Sequence, residues 1–193
     1  MNPRARVVLA MCVVLEAGVA GARIKIKTDY DKTFDFSRAR SYTWHPDGAG
    51  EVKVLQLSGD NPVELRAKFE PVIVPAVEEA LARRGLTKAA MPPADLHVSY
   101  YVLIGPNVAA QTMGQFVRPV PEWGLPPFAP ATQSLEIYEQ GTLILDVADA
   151  AADRMIWRGS ARAEIDRQNS AAVRAERIRT AVRDMLKKFP AKR

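Results

Sequence analysis

The chain has 193 residues, 48% of them hydrophobic and 25% charged. This is the balance of a globular domain large enough to bury one core without disulfides. A net charge of +5 favours contact with anionic surfaces, but the arginines alternate with acids and alanines and form no basic stripe with stacking aromatics, which argues against a nucleic-acid partner.

The first element in chain order is a leader. Arg4 and Arg6 precede an apolar run from Val7 to Leu15, and small residues follow, ending Ala20-Gly21-Ala22. That order of charge, apolar core and small cleavage residues predicts a signal peptide over residues 1–22. The run is too short to cross a bilayer, so no transmembrane span is expected after processing. Cys12 raises lipid attachment, but Met11 before it and Val13-Val14-Leu15 after it do not make a lipobox, and none is favoured. Cleavage after Ala22 leaves a chain with no cysteine, hence no disulfide and no thiol chemistry. The expected location is the periplasm or outer envelope of a bacterium.

Residues 23–190 read as a single α+β domain. "RIKIKTDY" puts Ile24, Ile26, Thr28 and Tyr30 on one face and charges on the other, the period of a half-buried strand. "SYTWHP" repeats the pattern with Tyr42 and Trp44, and "DLHVSYYVLI" does so with Leu96, Val98, Tyr100, Val102 and Ile104. From Met155 to Ile165, Trp157, Gly159, Ala161 and Ala163 alternate against Arg158, Ser160, Arg162 and Glu164. Such segments predict a mainly antiparallel sheet of about five strands, one face dry and the other wet. Two amphipathic helices should cover the dry face. One starts at Asn61-Pro62, carries Phe69, Ile73, Val77 and Leu81, and stops at Gly85. Pro71 and Pro75 inside it predict a break or kink. The other begins near Asn169-Ser170 and carries Ala171, Ala175, Ile178, Val182, Met185 and Phe189 to Pro190.

Between them, residues 105–134 lose all periodicity. This proline-rich stretch holds Phe116, Trp123 and Phe128 and predicts a long irregular loop. Long loops in compact domains are commonly functional, so these three aromatics are the candidate partner-binding residues. An irregular excursion whose aromatics tuck against the domain is the alternative.

The stretch "GTLILDVADAAADRMIWRGSARAEI" gathers Asp146, Asp149 and Asp153 near two arginines. A calcium loop needs close alternate oxygen ligands and a turn glycine; alanines fill those gaps here. Parity demands an odd number of residues between Val147 and Trp157 if both are to face the core. That register sets Asp146 opposite Arg158 on the wet face and leaves Asp149 and Asp153 at the tip as turn residues. Asp29, Asp31 and Asp35 read as strand-end and turn residues. His45 and His97 lack cysteine partners and HExxH spacing, and both read as ordinary surface residues. No GxSxG, Walker or GxGxxG pattern occurs. No metal, cofactor or catalytic residue is therefore expected.

Taken together, Asp29-Tyr30-Asp31, Asp35-Phe36-Ser37, Tyr42 with Trp44, Ala94-Asp95, Gly141-Thr142-Leu143 and Trp157-Arg158-Gly159 resemble the bacterial family called domain of unknown function 4136. The resemblance covers nearly all the mature chain. It implies an exported or lipid-anchored envelope protein and brings no activity with it. The expected function is non-catalytic: binding another envelope protein or an anionic envelope polymer, with peripheral membrane contact. The alternative is a binder of a small apolar ligand held between the loop and the sheet, with a hydrolase a distant third.

Overall fold

The computed structural model describes residues 23–54, 60–91, 93–106 and 139–190. The expected leader with Cys12, and the aromatics Phe116, Trp123 and Phe128, lie outside these residues. The elements are β1 (Lys25–Tyr30), β2 (Ser41–Trp44), β3 (Gly50–Val54), α1 (Pro62–Arg83), β4 (Thr87–Lys88), β5 (Leu96–Pro106), β6 (Glu139–Asp149), β7 (Arg154–Glu164) and α2 (Ala171–Leu186).

The α+β class stands, but the sheet differs from the expected one. Among the described residues it has seven strands, in the order β1-β7-β6-β5-β2-β4 with β3 also against β5. Strands β1, β7, β6 and β5 pair antiparallel, whereas β2 with β4, β2 with β5 and β3 with β5 pair parallel. The sheet is therefore mixed. The parallel half exists because α1 carries the chain from β3 back across the sheet to β5, and a helical crossover joins parallel strands. A one-sided alternation of apolar residues does not reveal this connection. Two strands were not expected: β3, which carries only Val52 and Val54 as an alternating apolar pair, and the two-residue β4, which is too short to show a period. Strand β5 also runs through Pro106, into the stretch expected to be irregular.

Both helices form for local reasons that are plain in the sequence. The Asn61 side chain accepts from Val63 N at 2.9 Å and Pro62 fills the first helical position, where its missing N–H is harmless. Ser170 caps α2 by accepting from Val173 N. Gly85, at φ 78°, follows the end of α1 in a left-handed conformation that suits glycine. Of the expected break or kink, the break does not occur: helix α1 is continuous through Pro71 and Pro75. Each proline removes one helical hydrogen bond, yet Ile73, Val77 and Leu81 are buried around them, and tertiary packing outweighs the lost bonds.

The helices cover one face of the sheet. Ile73, Val77 and Leu81 of α1 and Val182 and Met185 of α2 join Tyr42, Val98, Tyr100, Leu145, Val147 and Trp157 in one core. Phe189 closes it beyond α2, its ring 5.4 Å from both Trp157 and Phe36 in edge-on contacts. Gly159 is required beneath Trp157: a Cβ there would lie 2.4 Å from the indole.

The opposite face is not uniformly wet. On it, Leu103, Thr142, Ile144 and Asp146 are all buried. Charges remain along its margin, where Lys25 and Lys27 of the edge strand β1 are exposed and Asp29 is half-buried. Charged side chains on an edge discourage strand addition.

Candidate functional site

The hairpin β6–β7 decides what the acidic cluster is. Its register pairs Val147 with Trp157 and Asp146 with Arg158, as parity requires. The odd spacing is not a loop length, however. Asp149 pairs with Arg154 across a short turn, and the register shifts between Val147 and Ala148, so Ile156 is the extra residue. This bulge turns Ile156 into the core, fully buried, and its carbonyl accepts from Asp31 N at 2.9 Å.

Asp146 and Arg158 form a two-point ion pair, Nε to Oδ1 and Nη2 to Oδ2 both at 2.7 Å. Their side chains are only 9% and 17% exposed. The expected solvent-exposed pair is thus a buried one. Burial pushes the Asp146 carboxyl upward, and the hydrogen bonds and charge of Arg158 oppose that. The planar guanidinium matches the carboxylate, the geometry in which such a pair is strongest.

The remaining carboxylates hold turns. Asp149 accepts from Ala151 N at 3.1 Å. Asp31 accepts from Thr33 N at 2.8 Å and from the Arg154 guanidinium, tying the end of β1 to the start of β7. Asp35 accepts from Ser37 N at 3.0 Å and caps a short 3-10 turn at Phe36–Arg38. Asp95 accepts from Arg40 N and Ser41 N, both at 2.8 Å, and from Ser41 Oγ at 2.9 Å. Those backbone donors hold its carboxyl below the usual range. These contacts give Asp31, Asp95 and Arg158, three of the residues that carried the family resemblance, structural roles at strand ends and within the sheet.

Asp153 and the histidines behave differently. Asp153 sits at the hairpin tip with φ 45°. His45 and His97, expected to be ordinary surface residues, stand with ring centroids 5.5 Å apart, and Asp153 Oδ1 lies 4.0 Å from His45 Nε2. No spacing in the sequence pointed to this meeting, because a parallel strand pairing brings the rings together.

A cleft opens between the helices and the other end of the strands. Its volume is about 150 Å³, and its walls include Phe69, Ile73, Val102, Leu143, Ile165 and Ile178. Arg174, Arg177, Glu164 and Asp166 also border it. The Arg174 guanidinium donates to Asn169 O, and Arg177 Nη2 donates to Glu164 O at 3.2 Å. The charged ends of this rim are therefore held in place beside an apolar interior. Phe69 and Ile178 belong to the apolar helical stripes expected to pack as core. Both are only partly buried and line the cleft instead, which a stripe along one helix does not reveal.

Among solved structures, a PDZ domain protein from Parabacteroides distasonis is similar at 14% identity, with a TM-score of 0.52 over 88% of this chain and 36% of that one. The chain thus spans about a third of that protein's length, and the likeness concerns the fold alone. The PelC dodecamer from Paraburkholderia phytofirmans is similar at 6% identity over 89% of this chain and 100% of that one, with a TM-score of 0.44. Lipoprotein GNA1162 from Neisseria meningitidis follows at 15% identity over 77% and 98%, with a TM-score of 0.32. These two likenesses are too loose to carry weight. No curated protein matches the chain. The sequence does match the family described as domain of unknown function (DUF4136) over residues 26–191, the span that holds the strand-end carboxylates, the Trp157-Arg158-Gly159 unit and both helices, and the chain belongs to that family.

Proposed function

We propose that the protein is an exported envelope protein with a binding role and no catalytic one, and that the cleft between the helices and the sheet receives the apolar part of its ligand. The cleft is the observation that carries this reading. An apolar cavity of about 150 Å³ takes a group the size of benzene, such as a small apolar molecule or the end of an acyl chain. Arg174 and Arg177 at the rim suit an anionic head on such a ligand. Export is supported by the charged start, short apolar run and Ala20-Gly21-Ala22. The non-catalytic half of the reading fits how three acidic residues are used: Asp146 in a buried ion pair and Asp149 and Asp95 in turns.

The test is extraction of the protein purified from its own envelope, followed by mass spectrometry, beside an Ile178→Trp variant that fills the cleft. The parent should yield an apolar or amphiphilic small molecule and the folded variant none. Equal yields from both would end the cleft reading. Crosslinked envelope proteins with an empty cleft, lost when Phe116, Trp123 and Phe128 are replaced by alanine, would favour a protein or polymer partner instead.

A further inference from the structure

The chain has two histidines, His45 and His97, separated in sequence by β3, α1 and β4, and the fold puts them face to edge at one end of the sheet. The means is a broken strand. Strands β2 and β3 lie one after the other along the same side of β5, Trp44 beside Val98 and Gly50 beside Tyr100. Between them the chain is extruded as a turn, His45-Pro46-Asp47-Gly48, closed by Gly48 N donating to His45 O at 2.9 Å. Proline at the second position presets that turn, and Gly48 adopts φ 121°. His45 N remains bound to Val98 O at 2.9 Å. Both histidine backbones are therefore held in the sheet while their rings project beside the tip of the β6–β7 hairpin, where Asp153 stands.

We infer that His45, His97 and Asp153 form a binding site for a divalent first-row transition ion, with Zn²⁺ the representative case. Three observations combine. A ligand atom from each of the three residues lies within 4.8 Å of the others. The donor set is two imidazoles and one carboxylate, which suits zinc, copper, nickel or iron and not calcium or magnesium. The His97 Nδ1 atom is buried with no hydrogen-bond partner among the described residues, and a buried polar atom without a partner is unfavourable unless something else satisfies it.

The geometry is close to what coordination needs. Ligand atoms around a tetrahedral zinc stand about 3.3 Å apart, given bonds near 2.0–2.2 Å. His45 Nε2 and Asp153 Oδ1 are 4.0 Å apart, and the Asp153 side chain is 61% exposed, so a small swing of that carboxylate closes the site. His45 has its outer partner ready as well. Asp47 N now donates to His45 Nδ1 at 3.2 Å, and Asp47 Oδ2 lies 3.6 Å from the same atom. Ligation through Nε2 moves the ring proton to Nδ1, where Asp47 Oδ2 accepts it in place of the backbone contact. A carboxylate behind a ligating histidine is a frequent orienting device. Three protein ligands leave a further position for water. The site stands at the opposite end of β5 from the cleft, so occupancy of either can be measured without the other.

The experiment uses the untagged full chain carrying Cys12→Ser, titrated with Zn²⁺ and followed through the imidazole resonances. Both histidine signals should shift together and saturate at one ion per chain, and thermal stability should rise and return with a chelator. Asp153→Asn and His97→Gln should each abolish the effect, Asp47→Asn should weaken binding roughly tenfold, and Asp149→Asn, in the same turn, should leave it unchanged. Unmoved resonances in excess Zn²⁺ would overturn the site. So would undiminished binding in Asp153→Asn, a variant at an exposed tip that decides the matter even if His97→Gln fails to fold.

Discussion

Both faces of the sheet bury residues, but by different means. The helix side is filled by apolar shapes: Trp157 over Gly159, Tyr100 over Gly50, and Leu145 and Val147 against α1 and α2. The other side buries a charged pair, Asp146 with Arg158, next to Ile144 and Leu103. A strand's alternation determines which residues share a face. It does not determine whether the polar face meets water, because arginine can cover its own partner and bury both.

The largest effect expected is on the helix side. Trp157→Ala should lower unfolding free energy by about 3–5 kcal/mol in denaturant melts, the range for a fully buried large aromatic, since Trp157 has no exposed surface. A loss below about 1 kcal/mol, the ordinary size of a surface change, would mean that Phe189 and its neighbours do not form the core described.

On the other face, Asp146→Ala should cost about 3 kcal/mol, because it strands the Arg158 guanidinium in a largely buried place. Replacing both residues with leucine and methionine should recover most of that loss, as apolar substitution of buried pairs commonly does. A double-mutant cycle measures the coupling directly. A value within the roughly 0.2–1 kcal/mol of exposed pairs would return the face to the solvent-exposed character expected from sequence.

Asp95 supplies the smallest effect and an open counterpart to Asp146. Its carboxyl is lowered by the backbone N–H donors of Arg40 and Ser41, whereas burial raises that of Asp146. A depressed folded-state value means the ionised form favours folding. That contribution is complete above the unfolded value of 3.8 and disappears as pH falls through the folded value. Asp95→Asn should therefore cost about 1 kcal/mol near neutrality and show a shallower loss of stability between about pH 5 and 2. Asp31, Asp35, Glu70 and Glu78 are lowered too, so some acid slope should persist. An acid limb identical to the parent's would show that Asp95 contributes nothing through its charge.

Local order determined a good deal by itself. The β6–β7 register followed from parity, since a one-residue slip would turn Trp157 and Val147 out of the core. The helix starts at Asn61-Pro62 and Ser170 followed from capping chemistry, which needs only neighbouring residues. The turn roles of Asp35 and Asp149 followed from bonds spanning two positions. What escaped was whatever depended on residues far apart. The parallel half of the sheet needed the α1 crossover, the burial of Asp146 needed Arg158 folded over it, and the continuity of α1 through Pro71 and Pro75 needed the packing of Ile73 and Val77. The meeting of His45 with His97 and Asp153 needed β2 and the hairpin tip to converge on one end of β5. Periodicity and turn chemistry act over a few residues, and so they can be read along the chain. Two side chains from distant strands become neighbours only through the pairing of those strands, and that the tertiary structure alone decides.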